Sequence, residues 1–163
     1  MRIKFFSDYL FKIKHHFERF CMKLLVAIDG SKASEGAVKY AARLFNSLNT
    51  ESHITLITVL DDSSLRLFKK HTPKGAVEDY LREMADNNLA WAIKYLNKTK
   101  LPHDMSIRYG HPSEQIMKEA QSGKFDMIIM GTKGRSSWAD TVIGSVAQRV
   151  VATSKIPVVL VKN

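Results

Sequence analysis

The chain has 163 residues, 45% hydrophobic and 25% charged, which fits one soluble domain with a core that needs no staples. Its formal net charge of +9 favours anionic partners in general, but Lys and Arg are dispersed, with no basic stripe beside stacking aromatics, so direct nucleic-acid binding is not expected. No stretch approaches the ~18 apolar residues of a membrane span. The single Cys21 excludes an intrachain disulfide and fits a reducing compartment, so the cytoplasm is the expected location.

Residues 1–21 differ from the rest. They hold five of the eight phenylalanines, and Ile3, Phe6, Leu10, Ile13, Phe17 and Phe20 recur at three- and four-residue steps, the seam of an amphipathic helix. The segment carries +3 of the net charge. It is interrupted by Asp8, Lys12, Lys14, His15 and His16 and has no small-residue cleavage site, unlike a secretory signal. Three roles remain open: docking on its own domain or on a partner, lying on an anionic membrane surface, or none, if translation begins at Met22.

From Met22 strand and helix alternate. Lys23–Ile28 is continuously apolar, as strands covered on both faces are. Asp29-Gly30-Ser31 ends it, and a helix follows with Val38, Ala41, Phe45 and Leu48 on one face and Ser31 or Ser34 at its cap. Ile54–Leu60 reads as a second strand, and Lys69–Gly75 as a basic loop. A long helix over Ala76–Asn97 points Val77, Leu81, Met84, Leu89, Ala92 and Leu96 inward, with Trp91 and Tyr95 along its edge.

Asp104–Tyr109 is a short strand. Gly110-His111-Pro112 opens the next helix, with Pro112 suited to a first turn and Ile116, Met117 and Ala120 facing inward. A strand over Phe125–Met130 leads into a glycine-bearing loop, a helix from Gly144 to Ser154 and a final strand over Ile156–Val161. Five alternations imply an α/β fold with a parallel sheet and helices on both faces.

The loop after the fourth strand carries the chemistry. Gly131, Gly134, Gly144 and Ser145 fill the pattern G-x2-G-x9-G-[ST] between a buried strand and a helix N-terminus. Glycines let backbone approach an oxygen closely, and the first free N–H groups of the helix point at it, so the arrangement suits a phosphate. An ordinary long connection has the same spacing about as often.

That pattern resembles the nucleotide-binding signature of the universal stress protein family. Lys23–Ser31 resembles the family's opening strand and turn, Gly110–Ile116 its central joint (where Asp or Glu is more usual than His111), and Ile156–Lys162 its last strand. The resemblance covers residues 22–163 and implies a doubly wound, Rossmann-like five-stranded sheet of order 3-2-1-4-5. With that order the first and fourth strands are neighbours at the switch point, where ligands bind outside the carboxyl ends. Asp29 and the glycine loop then converge, although Asp29 can equally serve as a turn residue.

Carried over, the resemblance implies that Ala27 and Asp29 line the base and ribose, and that Val59 touches adenine. Met130, Gly131, Lys133, Gly134, Gly144, Ser145 and Val146 would surround ribose and phosphates. The implied ligand is ATP, or AMP or ADP, with Mg²⁺ accompanying a triphosphate; the implied assembly is a homodimer through the last strand. No catalytic set is expected: there is no GxxxxGK[ST] or GxGxxG, and the six histidines lie far apart without metal-ligand spacing. A nucleotide-binding regulatory module in the stress response is the expected function. A slow ATP hydrolase and a nucleotide-independent interaction protein are the alternatives.

Overall fold

The computed structural model describes residues 22–48, 52–61, 75–134 and 143–162. The amphipathic segment 1–21 and residues 69–74 of the basic loop lie outside the described residues. Strands β1 (Lys23–Ile28), β2 (His53–Leu60), β3 (His103–Tyr109), β4 (Met127–Gly131) and β5 (Val158–Val161) alternate with helices. Those described are α1 (Lys32–Ser47), α2 (Ala76–Lys98), α3 (Pro112–Ser122) and α4 (Ser145–Thr153).

The strands form one parallel sheet of order β3-β2-β1-β4-β5. Register places Val26 beside Leu56 on one side and Ile129 on the other. Side chains alternate between two layers. Leu24, Val26 and Ile28 pack with Val38 and Ala41 of α1 and Leu89 and Leu96 of α2. Leu25 and Ala27 pack with Ile116 of α3 and Val150 of α4 on the opposite face. Burial on both faces is the physical reason β1 reads as an unbroken apolar run.

Local chemistry sets the joints. Gly30 has φ 79°, a left-handed conformation that lets the chain turn sharply between β1 and α1. Ser31 is the cap of α1: its hydroxyl accepts from Ser34 N at 3.2 Å, and Ser34 Oγ returns a bond to Ser31 O at 2.8 Å. At the next joint Gly110 (φ 117°) donates to Leu60 O at 2.9 Å, and Pro112 occupies the first turn of α3. His111 ties two helices together, since Arg149 of α4 donates to its Nε2 at 3.2 Å.

Some boundaries differ from the sequence expectation. β4 starts at Met127, because Asp126 is used at the strand's entrance, its Oδ2 accepting from Lys23 N at 2.8 Å. β5 starts at Val158, after Pro157, and Gly144 is the cap of α4 rather than its first residue. Trp91 and Tyr95 stack on each other with centroids 5.1 Å apart, and the Lys39 ammonium lies 5.3 Å from the Trp91 ring centre.

Candidate functional site

β1 and β4 are adjacent, yet the helices that follow them leave on opposite faces of the sheet. That divergence opens a crevice above the carboxyl ends of the two strands. Asp29 stands just past β1, and Gly131 ends β4.

The loop that follows Gly131 passes close to the Asp29 carboxylate. A Cβ on Gly134 would lie 2.9 Å from Asp29 Oδ2, so a larger residue there would require the carboxylate to shift. Meanwhile Asp29 Oδ1 accepts from Ser31 N at 3.0 Å. Asp29 is therefore both a turn residue and a wall of the crevice. The loop is closed at its base by Gly144 N donating to Thr132 O at 2.8 Å, and Thr132 N is anchored on Val161 O at 3.0 Å.

The three loop glycines have different causes. At Gly131 a Cβ would meet Ala33 Cβ at 2.7 Å and Ala33 C at 2.8 Å, so the end of β4 needs glycine to sit against the first turn of α1. Gly134 makes room for Asp29. Among the described residues Gly144 is under no such demand: its φ is −62°, and a Cβ there would meet their atoms only at an ordinary 3.6 Å. It caps α4, whose first N–H groups have no acceptor within the helix and open onto the crevice.

The crevice has a volume of about 360 Å³. Ala27, Asp29 and Val59 line it from β1 and β2, and Met130, Gly131, Lys133 and Gly134 from the end of β4. Gly144, Ser145 and Val146 line it from the start of α4, so every residue singled out in the sequence borders one cavity.

Residues 22–162 match the profile of the universal stress protein family. The chain belongs to this family. It is 29% identical to universal stress protein MJ0577 of Methanocaldococcus jannaschii, over 86% of this chain and 94% of that one. The solved structure of MJ0577 superposes with a TM-score of 0.75 at 28% identity, covering 89% of this chain and 98% of the other. A universal stress protein in complex with cAMP shares the fold (TM-score 0.63, 23% identity, 86% and 96% covered). So does the Arabidopsis thaliana family member At3g01520 with AMP bound (TM-score 0.59, 18% identity, 87% and 92% covered).

Sequence reasoning missed one wall of the crevice in this universal stress protein. Leu60, Asp61, Leu81, Met84 and Asn88 border it from the end of β2 and from α2. Leu81 and Met84 stand out in the sequence only as inward positions of a helix. The available signal was Asn88, a polar residue on the stripe otherwise filled by Val77, Leu81, Ala85, Ala92 and Leu96. Among the described residues, no helix is long and apolar enough to cross a membrane.

Proposed function

We propose that the crevice binds an adenine nucleotide, ATP or its products ADP and AMP, and that the chain acts as a nucleotide-dependent regulatory module of the stress response. The observation that carries this is the mouth of α4: a glycine cap that no contact among the described residues requires, set where the first N–H groups of the helix border a cavity. Omitting a side chain there leaves room for an oxygen to reach the backbone, and the helix dipole favours its negative charge. The AMP and the cAMP held by two relatives of the same fold support an adenine nucleotide as the ligand. A volume of about 360 Å³ falls within the range of small-molecule sites.

In this assignment Met130, Gly131, Lys133, Gly134, Gly144, Ser145 and Val146 surround ribose and phosphates. Ala27, Asp29 and Val59 take the base and the ribose. Mg²⁺ would accompany a triphosphate, held largely by the phosphate oxygens themselves.

Thermal denaturation tests the assignment, since a ligand specific to the folded state raises apparent stability by mass action. Millimolar ATP should raise the melting temperature of the parent, and Gly144→Val should abolish the shift. No shift in the parent, or an equal shift in the variant, rejects the site. Mass spectrometry of small molecules released by heat would identify the bound nucleotide directly. Sustained multiple-turnover release of phosphate would mark the chain as an enzyme instead.

A further inference from the structure

β3 is the sheet edge opposite β5, and among the described residues it pairs with β2 alone. Its residues are mostly exposed. Met105 lies beside Leu56 in the layer of α2, and Met105, Ile107 and Tyr109 are all exposed. The other face of the strand carries charge. Arg108 Nε donates to Glu119 Oε2 of α3 at 2.7 Å, and Asp104 Oδ2 lies 2.8 Å from His53 Nε2. Both Asp104 and Arg108 remain exposed. Large apolar side chains beside an unpaired strand edge invite a further strand.

The backbone limits how such a strand can pair. Gly110 N donates to Leu60 O, so the even-numbered residues of β3 turn their main-chain groups toward β2. Met105 and Ile107 therefore turn N–H and C=O outward, and an antiparallel neighbour must set its own outward residues opposite them. A second β3 meets this condition in a few registers about a two-fold axis. An axis at Asp104 or at Arg108 sets like charges opposite each other. An axis at Met105 or Ile107 sets no charge opposite its counterpart. With the axis at Ser106, Asp104 of each copy faces Arg108 of the other, and Met105 faces Ile107 on the apolar side. The charges then occupy the non-hydrogen-bonded positions, where facing side chains come closest.

We propose that β3 is an interface for a second copy of this chain, paired antiparallel about a two-fold axis at Ser106. The two sheets become one across the axis. Arg108 keeps Glu119 and Asp104 keeps His53, so each cross-strand ion pair completes a row of four polar side chains. The contact is isologous and leaves β5 untouched, so it is independent of the dimer expected through the last strand. A seven-residue strand makes a modest contact, so the association follows concentration and is read by trapping it.

The test is disulfide trapping in the full chain, with Cys21→Ser removing its single native thiol. Ser106→Cys sets two thiols at the axis, where facing Cα atoms lie about 4.5 Å apart, within disulfide range. Tyr109→Cys is the control, since its two copies would lie about 20 Å apart along the strands. At tens of micromolar under mild oxidation, Ser106→Cys should give a linked dimer at least tenfold faster than Tyr109→Cys. Equal rates, or no linked dimer, overturn the proposal. Added to the Ser106→Cys chain, Asp104→Arg and Arg108→Asp each set like charges opposite each other and should slow trapping about tenfold. An equal mixture of the two should recover to within about twofold of the parent rate, because each chain supplies the charges the other lacks. Arg108→Asp also loses Glu119, but equally alone and in the mixture, so recovery reads the cross-strand pair. Unslowed trapping in both variants, or a mixture as slow as either alone, overturns the proposal. If a charge variant does not fold, the comparison of Ser106→Cys with Tyr109→Cys decides.

Discussion

Two glycines of one loop should respond in opposite ways to the same added methyl group. At Gly131 the new Cβ would sit 2.7 Å from Ala33 Cβ, 2.8 Å from its carbonyl carbon and 3.0 Å from its oxygen, against an ordinary 3.4–4 Å. Two of those three atoms are backbone of the first turn of α1, held in place by the Ser31 cap, so no side chain can swing aside. Overpacking of this kind costs about 1–3 kcal/mol, less about 0.4–1 kcal/mol recovered because alanine restricts the unfolded chain. Taking the middle of each range leaves about 1.3 kcal/mol, so at roughly 2–4 °C per kcal/mol Gly131→Ala should lower the melting temperature by roughly 3–5 °C. At Gly144 the same Cβ meets only 3.6 Å contacts among the described residues. The poorer helix cap costs about 0.5–1 kcal/mol and the restricted unfolded chain returns about as much, so Gly144→Ala should melt within about 2 °C of the parent. Both are measured without ligand by circular dichroism during heating. If Gly131→Ala melts with the parent, or Gly144→Ala falls as far as Gly131→Ala, the division between a packing glycine and a ligand-facing glycine is wrong.

Ser31→Ala removes the hydroxyl that accepts from Ser34 N and should cost about 1 kcal/mol, or roughly 2–4 °C in melting temperature; an unchanged melting curve would show that the cap is dispensable. A chain beginning at Met22 should bind ATP as tightly as the full chain, and loss of binding in a folded protein would bring residues 1–21 into the site. Among the described residues β5 pairs with β4 alone and is half-exposed, so there it is an apolar sheet edge. Two copies pairing edge to edge through a two-fold axis would close that edge, so light scattering should find a dimer, weakened by Val159→Pro; a parent that is monomeric at tens of micromolar removes this expectation.

Much was legible in local sequence. Strand and helix alternation is written in periodicity, and the run Lys23–Ile28 announces a strand covered on both faces. Gly30 and Pro112 mark the turns, since each reflects what the backbone can adopt at that position. Boundaries slipped by a few residues where a side chain took a job at the joint, as Asp126 does at the entrance to β4.

The sequence by itself determined the elements, the two-layer burial pattern and the glycine loop leading into a helix mouth, because these depend on conformations and spacings within a few residues. The strand order came from the resemblance, since periodicity does not say which strands are neighbours. Tertiary structure alone decided why each glycine is there: Gly131 answers to Ala33, Gly134 to Asp29, and Gly144 to no atom of the described residues closer than 3.6 Å. It also decided that α2 forms a wall of the crevice, turning Leu81 and Met84 from core positions into cavity lining. Such facts arise from contacts between segments far apart in the chain, and their distances are set by how helices seat on the sheet, which no local pattern encodes.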